Sequence, residues 1–152
     1  MPIRIISVGK KHDALFSDAI EYYSKRLQPP FTVDWVLLPH SPKEGAQARR
    51  DESTSILARL SSDDYVILLD ERGTAYESPA FSRLLQDTMA TRGKITIIIG
   101  GAYGVDDALR SRADTMISLS AMVFPHQLTR LILAEQLYRA NQIAKGSPYH
   151  HI

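Results

Sequence analysis

The sequence predicts an α/β domain built on a mostly parallel sheet with helices on both faces. Three observations lead there. Short β-branched or aromatic runs alternate with segments of helical periodicity along the chain. Two of those runs, Tyr65–Asp70 and Ile95–Ile99, are almost wholly apolar, the pattern of strands covered on both faces. The resulting order, βαβαβαβαβα, needs crossover connections, which join parallel strands.

Taken in order, Ile3–Val8 is the first apolar run and reads as a strand. Phe16, Ile20, Tyr23 and Leu27 then fall at i, i+4, i+7 and i+11, one face of a helix. Phe31–Leu38 is the second strand. A polar helix begins near Glu44 and closes on Ile56, Leu57 and Leu60. Tyr65–Asp70 is the third strand. Ser78 before Pro79 reads as an N-cap and first turn, and Phe81, Leu84, Leu85 and Met89 form the stripe of the third helix. Ile95–Ile99 is the fourth strand, Asp106–Arg112 a short helix, and Thr115–Ser120 the fifth strand. The last helix runs from Pro125 to Lys145 and is stopped by Gly146 and Pro148. It carries two apolar stripes: Leu128, Leu131 and Ile132 on one side, and Leu133, Leu137, Ala140 and Ala144 on the other. A helix apolar nearly all round is buried nearly all round, and the expected cover is a second copy of the chain.

Composition narrows the function classes. At 152 residues the chain has the size of one domain, taken as spanning 1–152, and 44% hydrophobic residues suffice for a core without metal or disulfide support. The lack of cysteine excludes a disulfide framework, a thiolate metal site and a thiol nucleophile, and fits a cytoplasmic protein. The apolar run within Met1–Lys10 is too short for a signal peptide or a membrane span. The net charge of +1 argues against promiscuous nucleic-acid binding but leaves room for a local basic patch.

In open α/β sheets ligands bind beyond the carboxyl ends of the strands. The exits here are Gly9-Lys10-Lys11-His12, Asp70-Glu71-Arg72-Gly73, Gly100-Gly101-Ala102-Tyr103-Gly104 and Ala121-Met122-Val123-Phe124-Pro125-His126. The fourth strand's exit has three glycines in five residues, so its backbone can turn sharply and approach a ligand. No dinucleotide fingerprint, phosphate-binding loop, nucleophile elbow or His-Glu-x-x-His motif occurs. His12, His40, His126, His150 and His151 have no convincing metal spacing, so no metal is expected. The residues alone give an α/β domain with a small-molecule site at its late strand exits. A regulatory nucleotide-binding module without chemistry satisfies that description as well as an enzyme does.

The second half carries a more specific pattern. Ile99-Gly100-Gly101-x-x-Gly104, Leu119-Ser120 before Phe124-Pro125-His126, Arg130, Glu135-Gln136-x-Tyr138-Arg139-Ala140 and Pro148-Tyr149-His150 resemble the ribosomal RNA large-subunit methyltransferase H family. That family belongs to the SPOUT class. Val8-Gly9-Lys10 and Tyr23-x-x-Arg26-Leu27 are similar to it too, so the resemblance covers essentially the whole chain. It implies a SPOUT-type sheet with a C-terminal trefoil knot, which general topology rules would have set aside as rare. It implies an S-adenosylmethionine-dependent enzyme that methylates N3 of a pseudouridine in ribosomal RNA of the large subunit, on the assembled ribosome and as a homodimer. A SPOUT methyltransferase acting on tRNA is the nearest alternative.

The family pattern places the cofactor against Leu69, against Gly100 and Gly101, and against the loop Leu119, Ser120, Ala121, Met122, Val123 and Phe124. Catalytic candidates are Tyr149, His150, His126, Glu135 and Arg139. The histidines titrate nearest neutrality, Tyr149 is suited to stack on or hydrogen-bond a base, and Glu135 and Arg139 stand at the i, i+4 spacing of an ion pair. Lys10, Lys11, Arg110, Arg112 and Arg130 are candidate phosphate contacts. The final residues His151 and Ile152 depart from the family pattern and carry no assigned role.

Overall fold

The computed structural model describes residues 2–151. Ten elements follow in the predicted order: β1 (Ile3–Val8), α1 (Ala14–Ser24), β2 (Val33–Leu38), α2 (Gly45–Leu57), β3 (Tyr65–Ala75), α3 (Ser78–Thr91), β4 (Ile95–Ile99), α4 (Asp107–Arg112), β5 (Thr115–Ser118) and α5 (His126–Ala144). The five strands form one sheet in the order β2-β1-β4-β3-β5, and each neighbouring pair is parallel. The α/β expectation holds, as does the apolar character of the central strands: every residue of β4 is buried.

Two apolar cores separate the faces. On one, Ile5, Ile67, Ile97 and Ile117 meet Phe81 and Leu85 of α3 and Leu133 and Leu137 of α5. On the other, Ile6, Leu68 and Ile98 meet Ile56 of α2 and Leu109 of α4. Alternate residues of each strand serve alternate cores, as the pleat requires.

The last helix corrects the sequence reading. It packs against both α1 and α3, so it is covered by the sheet below and by a helix on either side. Leu133, Leu137 and Ala140 are fully buried in the chain's own core and need no second copy. Leu128, Leu131 and Ile132 are only half-buried, and Ala144 is exposed. Of the two stripes, the first is the one left partly open along its length.

The third strand runs five residues past its expected end. Leu69 pairs with Ile117, and Thr74 pairs with the same Ile117, so Asp70–Gly73 leaves the ladder as an excursion before pairing resumes. Gly73 is where the chain returns. A Cβ there would stand 2.6 Å from the Met116 carbonyl carbon and oxygen, so only glycine lets β3 close onto β5 again.

Helix α3 also begins differently. Glu77 occupies the N-cap without a side-chain hydrogen bond, and Ser78 is the first helical residue. The Ser78 hydroxyl donates instead to Gln136 Oε1 at 2.7 Å and ties α3 to α5.

At the amino ends of the strands, Asp64 is fully buried. It accepts from Ser61 N at 2.8 Å and from Thr96 Oγ1 at 2.8 Å, and pairs with Arg4 at 3.3 Å. Arg112 donates to the Ser61 and Asp64 carbonyls at this same end. No helix among the described residues is long and apolar enough to cross a membrane.

Candidate active site

Beyond the carboxyl ends of β3, β4 and β5 lies an open cavity of about 750 Å³. Leu69 and the Asp70–Arg72 excursion form one wall. Ile99 and the whole Gly100–Val105 turn form the second. Leu119, Ser120 and Met122–Phe124, with His126 and Thr129 of α5, form the third. Every residue that the resemblance assigned to the cofactor lines this cavity except Ala121, which sits exposed in the same loop.

Each wall has a local cause. In the glycine turn, Gly104 N donates to Gly101 O at 3.0 Å, and Gly104 has a φ of 76°, a conformation only glycine adopts without strain. Asp106 then caps α4 by accepting from Leu109 N at 3.0 Å, while its own N–H donates to Ser53 Oγ of α2. The other two glycines of the turn are needed for a different reason from the one the sequence suggested. A Cβ on Gly100 would meet Val105 Cγ1 at 2.9 Å, and one on Gly101 would meet Glu52 Oε1 at 2.7 Å. Both are demanded by the protein's own packing. In the third wall, Ser120 Oγ accepts from Met122 N at 2.9 Å and Ser118 Oγ donates to Ser120 O. That turn pushes Met122 and Val123 outward, 75% and 77% exposed at the lip.

The first strand's exit is held from across the fold. Arg130, fully buried, donates through Nε to Ser7 Oγ, through Nη2 to the Val8 and Gly9 carbonyls, and through Nη1 to the Lys11 carbonyl, with His12 Nδ1 at 3.2 Å. It therefore cannot contact a phosphate, contrary to the sequence expectation. Arg112 is also in the wrong place, at the opposite end of the sheet, whereas Arg110 lines the cavity and pairs with Asp70 at 3.3 Å. Arg49, which the sequence did not single out, also lines the cavity.

His126 opens α5 at the cavity wall. Burial first, then the charge of Arg130 and the neighbouring His40, hold its pKa below the ordinary histidine value, so it is neutral at pH 7. Its ring stacks edge-on to His40 with centroids 5.6 Å apart. Nδ1 is buried without a hydrogen-bond partner among the described residues, and so is Glu52 Oε1.

The other four catalytic candidates form a separate cluster. Arg139 donates to Glu135 Oε2 through Nε at 3.1 Å and Nη2 at 2.9 Å, the ion pair that the spacing predicts. Tyr149 Oη donates to the same oxygen at 3.0 Å, and Arg139 Nη1 lies 3.0 Å from His150 Nδ1. Burial, then Glu135, push the Tyr149 pKa well up, so its hydroxyl stays protonated. From His126 to Arg139 α5 rises roughly 20 Å. The cluster joins the second half of α5 to the residues that follow it, and none of its four members lines the cavity. No group of three acidic or histidine side chains positioned for a metal occurs among the described residues.

Parallel strands whose carboxyl-end loops line an open cavity are the arrangement in which α/β proteins hold their ligands. A family model described as predicted SPOUT methyltransferase matches residues 1–150. The chain is 39% identical over 152 residues to the ribosomal RNA large subunit methyltransferase H of Anaeromyxobacter sp. (strain Fw109-5), covering 99% of each chain. It is 38% identical to the protein so named in Christiangramia forsetii, again over 99% of each, and 39% identical to that of Leuconostoc citreum (strain KM20). The chain belongs to the SPOUT methyltransferase family.

Proposed function

We propose that this protein uses S-adenosylmethionine to methylate N3 of a pseudouridine in large-subunit ribosomal RNA, on the assembled ribosome and as a homodimer in the cytoplasm. The reading includes a single domain over 1–152 and a C-terminal segment threaded as a trefoil knot. One observation carries it above the others: the three loops that the resemblance gives to the cofactor meet around one cavity. The names of the relatives support ribosomal RNA as substrate.

The residues present suit such a donor. Leu69, Gly100 and Gly101 and the Leu119–Phe124 loop offer apolar surface and turn backbone to an adenosine, and about 750 Å³ leaves room for a target base beside it. Bound there, S-adenosylmethionine supplies an already activated methyl group, so the protein's task is mainly to position the accepting nitrogen. The imide proton on N3 needs an acceptor. His126 is neutral and lines the cavity. Tyr149 remains protonated, which suits it to donate or stack and rules it out as the base at neutral pH. Tyr149, His150, Glu135 and Arg139 do not line the cavity of their own chain, and in this reading a second copy brings them to it. Arg49 and Tyr103 at the rim suit a phosphate and a splayed base. A net charge of +1 gives little long-range attraction, which favours a large preformed RNA surface over free RNA.

The test is calorimetry with S-adenosylmethionine, followed by transfer of a labelled methyl to intact ribosomes and to isolated tRNA. Binding plus incorporation into ribosomes, with mass spectrometry locating the mark on a pseudouridine, is expected. Labelling of tRNA instead would reassign the substrate, and binding without transfer to either would favour a regulatory module.

A further inference from the structure

Glu52 is the feature of the fold that this function does not absorb. It lies on α2, a helix polar enough that its carboxylates read as solvated, yet it is only 6% exposed. Oε2 accepts from Ser41 N at 2.9 Å and stands 4.0 Å from His40 Nδ1. Oε1 has no partner among the described residues. It is pressed against Gly101, at 2.7 Å from where a Cβ would stand, and Gly101 lines the cavity. A buried carboxylate with an uncommitted oxygen is costly to keep, and here a single residue without a side chain separates it from the ligand space.

We propose that Glu52 is a specificity-determining residue that selects a cationic ligand over a neutral one in this cavity. The inference rests on the donor assigned above. S-adenosylmethionine carries a sulfonium charge that is lost with the methyl, and the product S-adenosylhomocysteine has a neutral thioether in its place. The two ligands otherwise carry the same charges. A fixed carboxylate behind the glycine turn therefore stabilises the donor more than the product and helps discharge the spent ligand. Bulk solvent screens Glu52 little, because the residue is buried and its Oε1 is shut off from the surface. The neighbouring charges leave the effect standing. His126 is neutral, and Arg130 keeps its charge at the β1 exit but is the same in the protein and its Glu52 variant, so it cancels from their comparison. Across the cavity Arg110 and Arg72 both pair with Asp70, which leaves Arg49 and Glu71, of opposite sign, as the other charged lining residues.

The experiment is calorimetry on Glu52→Gln, which keeps shape and volume and removes the charge. S-adenosylmethionine and S-adenosylhomocysteine are titrated in turn, with sinefungin as a cationic analogue that transfers no methyl. The variant should bind the two cationic ligands roughly tenfold more weakly while its affinity for the neutral product changes less than about twofold. Equal weakening of all three ligands would mean that Glu52 only braces the turn, and would overturn the proposal. So would unchanged affinities. If the Gln variant folds poorly, Glu52→Asp serves. It withdraws the charge from Gly101 by one methylene and should shift the same ratio in the same direction by a smaller factor; an unchanged ratio overturns the proposal. An unmodified protein that binds none of the ligands would instead defeat the donor assignment and this inference with it.

Discussion

Asp64 shows how a single side chain makes the stability of this fold depend on pH. Burial alone would raise its pKa, but hydrogen bonds from Ser61 and Thr96 and the charges of Arg4 and Lys94 outweigh burial and hold it below the usual carboxylate value. A carboxylate depressed in the folded state contributes stability above its unfolded pKa, about 3.9, and loses it as pH falls through the folded value. Asp64→Asn should therefore cost about 2 kcal/mol at pH 7 and less at pH 3, read from urea melts at both. An equal cost at both pH values would mean that the site responds to shape and not to charge. Neither Asp64 nor Glu52 was legible as buried, nor was Arg130. In a linear sequence a clamped charge and a solvated one are the same letter, and only the arrival of a distant partner distinguishes them. Such partners lie far off here: Thr96 for Asp64, and Ser7 for Arg130.

At the scale of elements the sequence was more informative. Apolar runs end where the cavity begins, at Leu69 and Ile99, because strands leave the core and their side chains leave its chemistry together. What pairing does beyond those ends was not visible, since a two-residue rung such as Thr74–Ala75 has no periodicity to detect. Gly73→Ala tests the excursion. With Met116 backbone 2.6 Å from the added methyl, the variant should lose about 1–3 kcal/mol in thermal or urea melts and bind the donor more weakly. The doubled stripe of α5 misled for a related reason: a helix between two others on a sheet is covered from three sides without any second copy. Leu133→Glu should accordingly unfold the domain, whereas Leu131→Glu, on the half-buried stripe, should leave a folded chain. Circular dichroism separates the two outcomes. Sedimentation of Leu131→Glu then reports whether that stripe joins two copies, which a shift from dimer to monomer would establish.

For the whole molecule, the distance between the cavity and the Tyr149 cluster has a strict consequence if two copies share each site. A chain lacking residues 149–152 and a chain with Gly100→Val are each expected to be inactive alone. Mixed and allowed to exchange, they should recover up to about a quarter of normal methyl transfer, because one of the two sites in a mixed dimer is intact and mixed dimers form about half the population. No recovery would place both sets of groups in the same chain. A different consequence follows from the Arg130 clamp, which joins positions 123 residues apart. β1 cannot set its exit until α5 has docked, and α5 also brings His126 and Thr129 to the cavity wall, so the ligand cavity is a late product of folding. Chains released before α5 is complete should hold native β1–β4 pairing at most loosely and bind no donor. Arg130→Met should slow refolding as well as weaken the native state, which stopped-flow fluorescence of Trp35 can follow. The long reach of one guanidinium thus ties the β1 exit to α5, and a chain cut short before α5 lacks the cavity wall that His126 and Thr129 supply.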